Sequence, residues 1–116
     1  PFAHQGPCMH EALLTDKIQK EKDVTTLDIA KALCEHGFHP MTVYFPLVVQ
    51  GAMLIEPTET ESKDAIDRFI TVMKSFADDV KKGDTQKFHD FPRSTPRRRL
   101  DEVKAAREPV LRWKEK

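Results

Sequence analysis

Two short hydrophobic runs set back to back constrain this chain more than any other feature. Residues 42–49 (TVYFPLVV) are β-branched and aromatic, the composition that suits a half-buried pleated surface. Gln50-Gly51 is a tight-turn pair, and residues 52–56 (AMLIE) return as a second run that Pro57 ends. So short a connection cannot make a crossover, and the two runs are expected to pair antiparallel as a hairpin. Pro46 has no N–H to give a ladder, which puts the first strand on an edge there or bulges it.

Helix signals lie on either side. Upstream, Thr25 or Thr26 can accept the free N–H groups of a first turn, and Asp28 within that turn opposes the helix dipole. Leu27, Ala30, Leu33 and Cys34 recur at helical spacing, so Cys34 reads as a small apolar core residue rather than a reactive thiol. Gly37 suits the left-handed position just past the end, with Phe38 folding back on the last turn. Downstream, Thr58 with Glu61 has capping-box spacing, Thr60 being the other candidate cap. Ile66, Phe69, Ile70, Met73, Phe76, Ala77 and Val80 then share one stripe, closed by Lys81, Lys82 and Gly83. That stripe reads as core rather than a cofactor box, and the helix is expected to lie on the hairpin's apolar face.

Residues 9–15 read as a third strand, and residues 16–23, carrying Lys17, Lys20 and Lys22, as a solvated loop. The expected fold is α+β in the order β-α-β-β-α, a three-stranded, mainly antiparallel sheet packed by two helices, over residues 8–83. Residues 1–7, broken at Gly6-Pro7, read as a linker. Residues 84–116 read as an extended docking tail. It is loop-like over 88–99, with a short helix in 100–107 stopped before Pro109 and an ordered end at Trp113. A tail with so few apolar anchors needs another surface to hold it.

Composition narrows the function classes. A chain of 116 residues can build one modest core but not a two-domain enzyme. Nineteen basic residues balance nineteen acidic ones, so net charge makes no case for nucleic acid or an anionic membrane as partner. No run approaches the length of a membrane span, and no signal-peptide pattern opens the chain. Two cysteines are too few to staple a secreted scaffold, which points to a reducing, cytoplasmic setting. The chain begins at Pro1, not methionine, and is expected to be a piece of a longer polypeptide.

Candidate chemistry is sparse. Cys8 with His10, and Cys34 with His36 and His39, lack the paired spacing of structural zinc sites, and no metal is expected. Arg93 and Arg97, Arg98 and Arg99 are basic without interleaved aromatics, which suits a solvated face or a salt-bridged docking tail better than nucleic acid. No nucleophile–base set or glycine-rich phosphate loop is visible, and no lysine sits in a context that argues for a Schiff base. Alone, the chain should catalyse nothing. Glu56, Glu59 and Glu61 suit a helix cap and dipole, yet residues 56–59 occupy a strand-to-helix turn of the kind that lines clefts.

Residues 37–49 (GFHPMTVYFPLVV) and 56–63 (EPTETESK) resemble the glycine dehydrogenase (decarboxylating) family, the P-protein of the glycine cleavage system. Residues 8–11, 25–31, 100–107 and 109–113 extend the likeness in order across nearly the whole chain. The YFPL version and the tail are similar to the second subunit of the two-subunit bacterial form. Met41 departs from the family pattern, where a second proline is usual, and residues 11–13 replace an aromatic-containing version of the first strand. The resemblance implies the small C-terminal domain of a fold-type-I pyridoxal-phosphate enzyme. In that family glycine is decarboxylated and its aminomethyl group passes to the lipoyl group of the H-protein. The cofactor lysine is then expected on a large domain outside this chain, with no pyridoxal phosphate on the isolated fragment. The implied partners are that large domain, glycine dehydrogenase subunit 1, the lipoylated H-protein and glycine. His39, Thr42, Glu56, Thr58 and Glu59 match the family's words and are the expected cleft-lining residues. The competing expectation is a stand-alone, non-catalytic binding or regulatory module.

Overall fold

A computed structural model, which describes residues 1–113 and residue 115, contains the antiparallel sheet in a trimmed form. Strands β1 (Ala12–Thr15), β2 (Thr42–Val43) and β3 (Ala52–Ile55) lie in the order β1-β3-β2, with β3 antiparallel to both neighbours. Thr42 faces Leu54 across one pair and Leu14 faces Met53 across the other. The expected strand over 42–49 stops at Val43. Tyr44 adopts the left-handed φ of 56° and turns the chain away, its N–H still donating to the Ala52 carbonyl at 2.8 Å. Residues 44–50 therefore form a loop, in which the Phe45–Pro46 peptide is cis and Val49 N–H closes a turn on the Pro46 carbonyl at 3.1 Å. Strand β1 likewise begins at Ala12, not at residue 9: Met9 and His10 are exposed, and the described pairing with β3 starts at Ala12. The first residues, read as linker, instead run along the outer side of β1. Ala3 N–H donates to Leu13, and Thr15 N–H to Pro1, each at 2.9 Å.

Among the described residues five helices form, where two packing helices and one short tail helix were expected. The supposed loop over 16–23 contains a single turn, α1 (Lys17–Lys20), begun by Lys20 N–H on the Asp16 carbonyl at 2.7 Å. Helix α2 (Thr26–Glu35) is capped by Thr25: its hydroxyl accepts the Asp28 N–H while the Asp28 carboxylate accepts the Thr25 N–H. Gly37, at φ 78°, ends it, and Phe38 N–H folds back onto Leu33 at 2.9 Å. Helix α3 (Lys63–Lys82) is capped by Ser62, not by Thr58 or Thr60. The two threonines are taken up in a separate turn, with Glu61 N–H on the Thr58 carbonyl at 3.0 Å. Helix α4 (Gln86–Asp90) and helix α5 (Glu102–Arg107) follow, the latter two residues shorter than the stretch read as helical.

The core sits between α2, the C-terminal half of α3, and α4. Leu33, Phe76, Val80, Phe88 and Phe91 are buried together with Met53 from the sheet. Phe88 is fully buried and meets Phe76 and Phe91 edge-to-face at 5.5 and 6.1 Å. The reading of 88–99 as loop-like thus missed two core aromatics, and the packed unit runs past residue 83. Helix α3 also fails to lie flat on the hairpin. Phe76 and Val80 are buried, but Ile70 remains 43% exposed further up the same stripe.

Total accessible surface is 9033 Å². A folded monomer of 13.4 kDa exposes about 6,500 Å². The radius of gyration, 16.0 Å, likewise exceeds the roughly 13 Å of a compact chain of this length. Large apolar side chains are part of that surface: Leu47, Val48, Val110, Leu111 and Trp113 are each more than four-fifths exposed. A self-sufficient domain buries such side chains.

Candidate functional site

Because α3 diverges from the sheet, a groove of about 1020 Å³ opens between them. Phe38, Met41, Met53, Ile55, Phe69 and Met73 supply its apolar walls. Polar groups stand among them: His39, Thr42 and Glu56 from the sheet side, and Glu61, Arg68 and Lys74 from the turn and α3. The local sequence explains this placement. The Gly37 turn delivers His39 to the start of β2, and Pro57 ends the chain's run along β3 just after Glu56. On the α3 side the Arg68 guanidinium lies 4.8 Å from the centre of the Phe38 ring, which in turn meets Phe69 edge-to-face at 5.5 Å.

Of the five residues expected to line a cleft, His39, Thr42 and Glu56 border this groove and are exposed. Thr58 and Glu59 do not border it. They lie in the turn before α3, where the Thr58 and Thr60 hydroxyls bond each other at 2.8 Å. Glu61, read with Glu56 and Glu59 as suiting a helix cap and dipole and left out of the cleft-lining set, borders the groove.

The strongest polar constellation was not anticipated as a site. The guanidinium of Arg99 donates to Asp28 at 2.5 Å and to the carbonyls of Phe88 and Phe91 at 2.8 and 2.9 Å. His89 Nδ1 stands 3.6 Å from the same Asp28 carboxylate. Burial raises the pKa of Asp28, but the hydroxyl and N–H of Thr25 and the Arg99 guanidinium outweigh it, so the carboxyl sits below its ordinary range. A second carboxylate, Glu35, accepts the N–H groups of Ser94 and Arg93, and these bonds lower its pKa. Together they strap residues 91–99 onto α2. The sequence signal was the arginine run itself, one of whose readings was a salt-bridged tail; the missing information was which arginine reaches inward.

The residues present do not fit an imine-forming cofactor. No described lysine is buried, and Lys87, whose pKa is displaced, is moved upward by its bonds to Asp79 and Asp84. An imine-forming lysine needs the opposite shift. Among the described residues no cluster of His, Cys, Asp and Glu could hold a metal, and both cysteines are free thiols. Among the described hydrogen bonds none joins a Ser, Thr or Cys to a His. The arrangement can cover and shape a cavity.

Residues 2–96 match the family model described as glycine dehydrogenase, C-terminal domain. A probable glycine dehydrogenase (decarboxylating) subunit 2 of Caulobacter vibrioides is 60% identical over 114 residues, covering 98% of this chain and 22% of that protein. Its namesake in Caldanaerobacter subterraneus is 50% identical over 106 residues, covering 91% and 22%. That of Kosmotoga olearia is 47% identical over 114 residues, covering 97% and 23%. The chain spans less than a quarter of the length of these relatives.

Proposed function

The chain belongs to the glycine dehydrogenase C-terminal domain family, and from that premise we propose that it is the small domain of a pyridoxal-phosphate-dependent glycine decarboxylase subunit. In this reading the enzyme works in the cytoplasm as part of the glycine cleavage system. It releases carbon dioxide from glycine and passes the aminomethyl group to the lipoyl arm of the H-protein. The cofactor and its lysine belong to the large domain of the same polypeptide, and subunit 1 completes the assembly. This chain contributes a cleft wall and contact surface. The groove border formed by His39, Thr42 and Glu56 is the part assigned to the cleft, with Thr58 and Glu59 in the adjoining turn.

One observation carries the reading. The surface is about 2,500 Å² larger than a free-standing monomer of this mass exposes, with leucine, valine and tryptophan among the exposed groups. A stand-alone binding or regulatory module would keep those side chains inside. Water exclusion is what such a wall does for the chemistry, since charge developing beside a cofactor is best handled in a closed, dry site.

The test uses the parent subunit. Its visible absorbance is recorded with and without glycine, the cofactor imine is trapped with borohydride, and the labelled peptide is mapped. A glycine-dependent spectral change with the label outside these 116 residues is the expected result. A colourless parent no longer than this chain would overturn the proposal.

A further inference from the structure

The loop between β2 and β3 is apolar at its tip and tied down at its base, two properties that rarely coincide in a solvent-facing loop. Leu47 and Val48 are 89% and 91% exposed and Phe45 is 55% exposed. Loops that face water are polar and mobile. This one is anchored to three elements. The Leu27 N–H, in the first turn of α2, donates to the Tyr44 hydroxyl at 3.2 Å, and the Tyr44 N–H holds the Ala52 carbonyl. At the far end the Gly51 carbonyl accepts the buried Thr26 hydroxyl at 2.7 Å and the Asp16 N–H at 3.2 Å, while the Gln50 carbonyl accepts the Thr15 hydroxyl at 2.8 Å. Tyr44 is held left-handed, a conformation a bulky side chain keeps only when its surroundings impose it. The loop is thus shaped before it meets anything, which lowers the ordering cost of a contact.

We propose that residues 44–48 form a docking tongue whose tip, Phe45, Leu47 and Val48, seats permanently in an apolar pocket on the remainder of the same polypeptide. The occupant follows from two considerations. Side chains this apolar suit an interface that is never opened, whereas a surface shared with a transient partner must also be soluble alone. Moreover, relatives carry this domain as 22–23% of their length, so roughly three and a half times its own bulk is tethered beside it. A tethered surface acts at millimolar effective concentration and outcompetes a free partner wherever the geometry allows contact. The inference rests on the proposed function only in taking the chain as one domain of a longer subunit.

Photochemical carbene labelling of the full-length subunit, alone and with its partner subunit, tests this. The label is read on the peptide containing residues 44–48 and compared with the urea-unfolded chain. Near-complete loss of labelling in the subunit alone, unchanged on dilution, is the expected result. Labelling that persists in the subunit alone and disappears only on concentration or on adding the partner assigns the tongue to a separate chain and overturns the proposal. Labelling throughout overturns it equally. A companion pair of variants, L47D and the conservative L47M, separates docking from folding. In the full-length subunit L47D should lower the domain's protection from proteolysis while L47M leaves it unchanged, and equal behaviour of the two would count against the proposal. Glycine-dependent absorbance on the same sample reports the decarboxylase reading separately, so a protected tongue in a glycine-inert subunit would sink that reading alone.

Discussion

Replacing Gly51 with alanine should damage this domain more than almost any other change of two or three atoms. Gly51 has φ 61°, and a Cβ built on it falls 1.9 Å from Asp16 Oδ1 and 2.2 Å from its Cγ. Neither side can yield cheaply. Asp16 is 3% exposed, and its other oxygen accepts the Thr26 N–H at 3.0 Å, so rotating the carboxylate strips a buried donor of its partner. The left-handed backbone costs an alanine roughly 1 kcal/mol, and a buried amide left unpaired costs about 2 kcal/mol more. A total near 3 kcal/mol corresponds to about a hundredfold faster exchange of amides that open with this region. Native-state hydrogen exchange of peptides from α2 and β3 in the full-length subunit measures it. Asp16→Ala gives the decisive comparison, because it removes the obstructing carboxylate at its own cost of about 1–2 kcal/mol for the orphaned Thr26 N–H. In that background Gly51→Ala should cost only the backbone term, about 1 kcal/mol. If Gly51→Ala accelerates exchange equally in both backgrounds, the steric reasoning is wrong and only the backbone matters.

Further outcomes follow from the strap and the groove. Arg99→Met should loosen residues 91–99 and cost about 2 kcal/mol, less than for a wholly buried pair because Arg99 is one-third exposed; limited proteolysis should then cut first within that segment. Asp28 has a folded-state pKa below its unfolded value, so its contribution is fully present above about pH 4 and fades as the pH falls through the folded value. Acid exchange profiles of α2 should show this loss, and Asp28→Asn should abolish it while lowering protection at neutral pH. On the proposed function, His39→Ala in the complete enzyme should lower glycine turnover by more than its effect on thermal stability, since His39 is exposed and borders the groove. Equal losses of both would return His39 to a structural role.

What could be read in advance divides along a physical line. The α2 cap and its glycine stop are short-range matters, decided by residues within a few positions of one another, and they emerge where expected; the two runs do pair antiparallel, but through a loop over 44–51 and not the expected tight turn at Gln50-Gly51. Strand length in the 42–49 run did not emerge as expected, because β propensity describes a side chain that is half buried, and here the apolar character serves an exposed tip. Phe88 and Phe91 were missed for the converse reason. Two aromatics beside Pro92 look like a loop until α3 and α2 are brought against them. The groove was equally invisible: the stripe from Ile66 to Val80 states that α3 has one apolar face but not that only part of it is covered. His39, Thr42 and Glu56 were singled out by family words, and their shared border depends on β2 and β3 pairing in the observed register. Arg99 could not be told from Arg97 and Arg98 without the carbonyls it reaches.

The way the sheet ends on both sides has a consequence for assembly. Along β1 the chain's own first residues occupy the outer carbonyl of Leu13 and N–H of Thr15. On the opposite side β2 offers two residues, between Pro40 and the left-handed Tyr44, too little for another strand to zip onto. Both rims are self-terminated, the arrangement by which sheets avoid unwanted polymerisation. Among the described residues, then, neither β1 nor β2 offers a long free edge for a further strand. On the proposed docking, a substitution on the tongue would weaken one specific fit without opening a route to fibrous aggregation.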